Sequence, residues 1–282
     1  YMNRSDLPEE EEHLANYSAM LADLVGRPIT IRTLDLGVDK HSEALARPSS
    51  NVSNPALGLR AIRLCLKEPA LFRPQVRAIL RASALGPVRL MLPLVPSVHE
   101  LDRALAIIAE LKRQLDRDGL AYDDSLPVGA MIEVPAAALT AHAIARRMDF
   151  LSIGTNDLIQ YTLAIDRLDD AVNDLFDPVH PAILRLIQFT IEAGCALDVP
   201  VGMCGEMAGD PRFTRLLLGM GLREFSMQPG ALLDIKEILL ESDASELGHQ
   251  VEQFLARLDE TDPAHLLATL NAASPSAQAA KG

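Results

Sequence analysis

The stretch that decides the fold is Phe150–Tyr161, which reads FLSIGTNDLIQY. Its first residues form an apolar run of the kind found in buried strands, and Gly154 breaks that run. Asn156 and Asp157 follow at once. An amide and a carboxylate at the exit of a buried strand are costly to place unless something binds there. The segment therefore predicts a strand that carries part of a binding site at its carboxyl end.

Two further segments repeat this arrangement. GAMIEVPAA (residues 129–137) places Glu133 after an apolar run, and VGMCGEMAG (residues 201–209) places Cys204 and Glu206 after another. Because the carboxyl ends of parallel strands meet at one edge of a sheet, these side chains are expected to share one site.

Apolar runs alternate along the chain with helix-period stretches, which is typical of repeated βα units. Eight strands are predicted, the number that closes a (β/α)8 TIM barrel. We expect this barrel to occupy residues 1–270 and a flexible tail to occupy residues 271–282. The predicted strands are Tyr1–Asn3, Ile29–Leu36, Leu57–Ile62, Val88–Leu94, Val128–Val134, Phe150–Ile153, Val201–Cys204 and Glu224–Met227.

Composition narrows the function classes. The 282 residues are 49% apolar, enough for one large α/β core. The net charge of −13 argues against nucleic acid or a membrane surface as partner. No apolar stretch reaches the roughly 18–20 residues that span a bilayer. The three cysteines form no CxxC pattern, which indicates a reducing cytoplasm.

Polar side chains stand at most of the predicted strand exits and in the loops that follow them. They are Arg4, Arg32, Lys40, Arg60, Glu133, Asn156, Asp157, Arg167 and Cys204. An acidic protein that gathers cations and carboxylates in this way is suited to a small, highly charged anion with a metal. The planar fork of arginine matches phosphate and carboxylate oxygens. Glu133 and Asp157 are hard ligands that suit Mg²⁺, whereas zinc favours clustered His or Cys.

Each of these residues also has a plainer interpretation. Arg32 and Arg60 can each anchor a helix or loop, and Glu133 can pair with one of them. Lys40 can be a solvated charge. Asn156–Asp157 can form a turn or a helix cap, and Cys204 can be a small buried hydrophobe. Their joint occurrence at strand exits favours a shared site.

Five segments, in order, resemble enzyme I of the bacterial sugar phosphotransferase system, the phosphoenolpyruvate–protein phosphotransferase family. They are IRTLDLGVDK, NPALGLRAIR, MIEVPAAA, SIGTNDLIQYTLAIDR and GMCGEMAGD. The resemblance is to the C-terminal domain of that family and runs from residue 2 to about residue 240. It implies a (β/α)8 barrel of the phosphoenolpyruvate/pyruvate type that binds phosphoenolpyruvate and Mg²⁺ and forms a homodimer.

The resemblance also implies roles for the cationic residues. Arg4, Arg32 and Arg167 match the family residues that bind the phosphate and carboxylate of phosphoenolpyruvate. Arg60 and Lys40 resemble further substrate-binding residues of the same site.

The remaining site residues match the family at the strand exits. Asn156 and Asp157 would contact the phosphoryl group, and Glu133 and Asp157 would ligate Mg²⁺. Cys204 would be the proton donor that completes pyruvate.

The phosphoryl acceptor has no counterpart in this sequence. The seven histidines lie in contexts unlike the phosphohistidine segment of the family, and His180 is interpreted as structural. The chain begins with Tyr1, which indicates a piece of a longer protein. The resemblance therefore implies two partners: a phosphohistidine domain of the same protein and, through it, a histidine phosphocarrier protein.

Two alternatives remain open at this point. Pyruvate phosphate dikinase and phosphoenolpyruvate synthase share the GTNDL and CGE signatures, although QYTLAIDR and DPVHPAIL look more like enzyme I. The chain could thus be a Mg²⁺-dependent barrel enzyme of another phosphoenolpyruvate/pyruvate class, such as a dikinase, a synthase or an aldolase. It could also be a non-catalytic module that senses phosphoenolpyruvate.

Overall fold

A computed structural model of the chain describes residues 7–35, 56–167, 169–258, 260 and 262–272. Two compact units divide the chain, Tyr1–Met131 and Ile132–Gly282. Arg4, Lys40 and the predicted strand Tyr1–Asn3 lie outside the described residues, as does the end of the chain from residue 273.

The first unit packs helices on a parallel sheet. It contains α1 Glu10–Leu24, β1 Ile29–Arg32, α2 Ala61–Lys67, α3 Pro69–Ser83, β2 Val88–Leu92 and α4 Val98–Asp118, and β3 Val128–Ile132 runs to its boundary. β1 pairs in parallel with β2, and β2 pairs in parallel with β3. The Ser97 hydroxyl caps α4 by accepting from the Glu100 amide, and Gly119 ends the helix in the left-handed conformation that glycine tolerates.

The predicted strand Leu57–Ile62 is wrong. Residues 56–59 form a turn and bends, and α2 begins at Ala61. Gly58 adopts a φ of +133°, which interrupts an extended run. The apolar residues that follow recur at helical spacing, with Ala61, Leu64 and Cys65 fully buried. A short apolar run of this kind does not distinguish a strand from a buried helix by itself.

The second unit has the same construction. It contains α5 Pro135–Leu139, α6 Ala141–Ala145, β4 Phe150–Ile153, α7 Thr155–Leu163, α8 Pro181–Leu197, β5 Val201–Met203, α9 Pro211–Gly219, β6 Glu224–Phe225, α10 Leu232–Leu240, α11 Ala244–Leu255 and α12 Pro263–Ala272. β4 pairs in parallel with β5, with Ser152 opposite Gly202, and β5 pairs in parallel with β6. His180 caps α8, because its Nδ1 accepts from the Ala182 amide at 3.1 Å.

The predicted α/β class and parallel strands are confirmed. The described residues contain six strands, so the closed eight-stranded barrel stays a prediction. Within the described part of the chain, no helix combines the length and the apolarity that crossing a lipid bilayer requires.

Candidate functional site

Three backbone hydrogen bonds link the carboxyl ends of four successive strands, β3 to β6. In each case a backbone amide just beyond one strand donates to the carbonyl of the last residue of the preceding strand. The amides of Gly154, Cys204 and Ser226 donate to the carbonyls of Ile132, Ile153 and Met203 over 3.1, 3.0 and 2.9 Å, respectively. The side chains that follow these strands are therefore held next to one another on one edge.

Two carboxylates occupy the first two of these exits. Glu133 directly follows β3 and is 3% exposed, and Asp157 lies in the first turn of α7 and is 7% exposed. The Nη2 of Arg167 is 3.7 Å from the Oδ1 of Asp157, and the Arg167 side chain is 40% exposed. The backbone amide of Arg167 donates to the Oε1 of Gln160, also on α7, at 3.2 Å. Arg167 is thus tethered beside Asp157 while its guanidinium reaches solvent.

Two side chains at these exits could serve as metal ligands. Glu133 and Asp157 supply two buried carboxylates, and Mg²⁺ is commonly held by one or two carboxylates together with phosphate oxygens and water. Within the described ranges, no group of three or more His, Cys, Asp or Glu residues is placed to hold a metal ion.

Asn156 does not cap its own helix. The N-cap of α7 is Gly154, and no side chain makes a capping hydrogen bond there. The Asn156 amide instead reaches the next strand exit: its Nδ2 donates to the Oε1 of Glu206 at 3.0 Å, and its Oδ1 accepts from the Glu206 backbone amide at 3.0 Å. The plainer interpretation of this asparagine as a helix cap is therefore wrong.

Cys204 is a partly exposed thiol beside a buried serine. The Ser152 hydroxyl donates to the Cys204 Sγ at 3.2 Å, and the thiol contacts the Ile153 carbonyl at 3.8 Å. Cys65 contrasts with it. Cys65 is fully buried, and burial raises the pKa of its thiol to about 12. The buried hydrophobic cysteine of this protein is Cys65, whereas Cys204 opens towards solvent.

This contrast predicts a pattern of thiol reactivity. At pH 8, iodoacetamide should modify Cys204 and the exposed Cys195 in the native protein and leave Cys65 untouched, because the reactive species is the thiolate. Mass spectrometry of the digested protein reads out the three sites. All three should react after denaturation, and native modification of Cys65 would contradict its burial.

An open cavity of about 680 Å³ lies over these exits. Asn156, Cys204 and Glu206 line it on one side, and Ser226–Gln228 line it where β6 ends. This volume falls in the range of small-molecule sites in proteins. Its polar lining thus includes a thiol, an amide and a carboxylate.

The first unit brings two of the predicted arginines together around one carboxylate. Asp35 accepts from the Nη1 of Arg32 at 3.2 Å and from the Nη2 of Arg60 at 2.9 Å. The Asp35 side chain is 6% exposed, and that of Arg32 is 46% exposed. Gln75 fixes the adjoining backbone, since its Oε1 accepts from the Leu34 amide at 2.9 Å. The Arg32 side chain therefore stays partly exposed while its partner Asp35 and the adjoining backbone are held in place. The Arg60 side chain is more buried.

Two supporting residues, one in each unit, were not singled out from the sequence. In the first unit Asp35 holds Arg32 and Arg60, and it carries a signal, because an acidic residue three positions after Arg32 invites an ion pair. In the second unit Ser152 contacts Cys204 and carries no signal beyond its place in an apolar strand. Glu206 was expected at this strand exit, but its pairing with Asn156 was not.

The sequence of this chain is similar to those of known proteins. The family model described as PEP-utilising enzyme, PEP-binding domain, matches residues 1–244. The phosphoenolpyruvate-protein phosphotransferase of Cupriavidus necator is 54% identical over 271 residues, which cover 96% of this chain and 46% of the relative. That of Geobacillus stearothermophilus is 45% identical, over 93% of this chain and 43% of the relative. The chain thus spans about half the length of the curated relatives it matches.

A solved structure adds evidence on the fold. A citrate lyase from Burkholderia xenovorans LB400 is 20% identical, with a TM-score of 0.52, and the match covers 94% of this chain and 88% of that one. At this identity the likeness concerns the fold alone.

Proposed function

The chain belongs to the PEP-utilising enzyme family, whose PEP-binding domain it matches, and on that premise we propose that it is the phosphoenolpyruvate- and Mg²⁺-binding catalytic part of a phosphoenolpyruvate–protein phosphotransferase. The name of the Cupriavidus necator relative supports this activity. Phosphoenolpyruvate is the substrate, pyruvate is the product, and a histidine on a separate domain receives the phosphoryl group.

One observation carries the proposal. A buried carboxylate, paired with a partly exposed arginine, follows one strand, a thiol follows the next, and a backbone hydrogen bond joins the ends of these two strands. Asp157 and Arg167 form that pair, and Cys204 follows the next strand. A carboxylate–arginine pair suits a metal-bound phosphate, and a thiol nearby suits a carbanion that needs a proton.

The anion would be bound by arginines. Arg167 and Arg32 keep exposed guanidinium groups, and we propose that both bind phosphate or carboxylate oxygens of the substrate, together with Arg4. Arg60 and Lys40 are proposed as further contacts. We also propose that the strands close into the (β/α)8 barrel, which would gather these cations at one mouth.

Glu133 and Asp157 would hold the Mg²⁺ ion. When bound, Mg²⁺ would neutralise negative charge on the phosphoryl oxygens. Asn156 would contact the same phosphoryl group. Phosphoryl transfer depends mostly on such positioning and electrostatic stabilisation.

The transfer itself is a displacement at phosphorus. A nitrogen of the incoming histidine forms the new P–N bond while the P–O bond to the enol breaks, and the electron pair leaves with the enolate of pyruvate. The Cys204 thiol then gives its proton to the methylene carbon of the enolate, which completes pyruvate, and solvent returns a proton to the thiolate.

A thiol that acts as an acid must begin protonated. A protonated Cys204 would share its hydrogen with the Ile153 carbonyl oxygen, which lies 3.8 Å from the Sγ. The Ser152 hydroxyl, 3.2 Å away, would steady the sulfur through the transfer.

The proposed partners follow from the same reaction. They are a phosphohistidine domain of the whole protein, a histidine phosphocarrier protein that the domain serves, and a second copy of the chain in a homodimer. The proposed location is the cytoplasm.

Calorimetric titration of the chain with phosphoenolpyruvate tests the binding half of this proposal. We expect saturable binding in the presence of Mg²⁺ and much weaker binding after EDTA treatment, because two carboxylates without their cation repel an anionic phosphate. Titration with inorganic phosphate is the control for simple anion binding. Absence of Mg²⁺-dependent binding at millimolar phosphoenolpyruvate would sink the proposal.

The catalytic half needs the acceptor. The chain should release pyruvate from phosphoenolpyruvate only when a phosphohistidine domain is added. Binding without pyruvate release in that mixture would favour the sensing module, and pyruvate chemistry without the acceptor would favour another barrel enzyme.

A further inference from the structure

Glu206 holds the side chain of Asn156 in one orientation. The backbone amide of Glu206 can only donate, so the Asn156 atom that faces it at 3.0 Å must be Oδ1. The Nδ2 then faces the Glu206 carboxylate, also at 3.0 Å, where only a donor is favourable. Both ends of the amide are thus fixed by one residue, and a flipped amide would place two mismatched pairs in contact.

The backbone at Gly205 also lies very close to Thr155, which reinforces these two hydrogen bonds. A Cβ on Gly205 would lie 1.9 Å from the Oγ1 of Thr155 and 2.6 Å from its backbone nitrogen. Only glycine fits there, so the loop after β5 lies directly against the start of α7. Thr155 is fully buried, which leaves this contact little room to shift.

The two contacts join the parts of the site that perform different steps. The loop after β5 carries Cys204, and the start of α7 carries Asp157. We propose that Glu206 is a positioning residue that orients Asn156 and thereby sets the Cys204 loop at a fixed distance from the phosphoryl-binding start of α7. The inference rests on the proposed function. It adds the residue that keeps the proton donor at a fixed distance from the phosphoryl ligands.

A carboxylate is suited to this task because of its charge. A hydrogen bond to a charged acceptor is stronger than one between neutral groups, and Glu206 lines the cavity, where the Asn156 amide would otherwise rotate into solvent. Glutamine keeps an acceptor oxygen at the same reach and should retain most of the effect.

Glu206→Ala, Glu206→Gln and Asn156→Ala are compared by calorimetry with phosphoenolpyruvate and Mg²⁺. We expect Glu206→Ala to weaken binding about tenfold, the worth of one charge-assisted hydrogen bond. Glu206→Gln should stay within about threefold of the parent chain. The double variant Glu206→Ala/Asn156→Ala should bind no more weakly than Asn156→Ala alone, since Glu206 acts through Asn156.

Glu192 offers a matched control. It is an exposed glutamate that accepts from an amide, the Nε2 of Gln188, at 2.7 Å on α8, away from the cavity. Glu192→Ala should leave the affinity for phosphoenolpyruvate unchanged. Unchanged affinity in Glu206→Ala, or losses that multiply in the double variant, would overturn the inference.

A second readout does not depend on the substrate. In a Cys195→Ser background, alkylation of native protein reports on Cys204, and Glu206→Ala should speed it severalfold because the loop is released, whereas Glu206→Gln should not. Failure of the parent chain to bind phosphoenolpyruvate would count against the proposed function, while an alkylation rate unmoved by Glu206→Ala would count against the positioning role.

Discussion

Replacing Cys204 with alanine should lower the turnover of phosphoenolpyruvate by a factor on the order of 10²–10⁴, the usual worth of a positioned general acid. The variant removes the thiol that lies 3.2 Å from the Ser152 hydroxyl and borders the cavity. Without it, the enolate must take its proton from water. Pyruvate release, measured with a phosphohistidine domain supplied, gives the rate.

The same variant should still bind phosphoenolpyruvate with an affinity close to that of the parent chain. The carboxylates and arginines proposed to hold the substrate are untouched, so the loss should appear in kcat rather than in KM. Cys195→Ala is the matched control, because Cys195 is exposed on α8 and does not line this cavity. Near-normal turnover in Cys204→Ala would rule out the acid role.

The bounds of a strand could be predicted where a glycine directly ends its apolar run. Phe150–Ile153 is predicted and observed with the same bounds, because Gly154 ends the apolar run. The prediction for β2 extends to Leu94, but the strand ends at Leu92. Pro93 has no amide to donate to a neighbouring strand, and Leu94 has a φ of +50°. The apolar residues thus continue beyond Leu92, where the backbone pairing of β2 ends.

The sequence names candidate residues for the site but not the partners that hold them. The pairs Asn156–Glu206 and Ser152–Cys204 join residues 50 and 52 positions apart. They follow from the register of β4 and β5, which an apolar run does not specify to a single residue. Asp35 went unassigned although Arg32 stands three positions before it, and its second link, to Arg60, spans 25 positions.

Replacing Arg167 with alanine should weaken phosphoenolpyruvate binding by roughly 30-fold to 4,000-fold. Losing one partner of a buried hydrogen-bonded charge pair costs about 2–5 kcal/mol, and about 1.4 kcal/mol is a factor of ten in affinity. This range applies because bound substrate would cover the guanidinium. The fold should tolerate the change. Arg167 is 40% exposed and its contact with Asp157 is 3.7 Å, so that ion pair is worth about 0–1 kcal/mol in stability.

Two further variants test whether the Arg167 guanidinium itself binds the substrate or only contributes positive charge. Arg167→Lys keeps the positive charge without the planar fork, and it should recover only part of the affinity, because lysine cannot make two parallel bonds to a phosphate. Arg212→Ala removes another arginine paired with an aspartate, the α9 cap Asp210, and should bind normally, since Arg212 is not among the proposed substrate ligands. Calorimetry with Mg²⁺ compares the three variants, and thermal melts check that each is folded. Equal affinity in Arg167→Ala and the parent chain would exclude this guanidinium as a ligand and leave its contact with Asp157 as a surface ion pair.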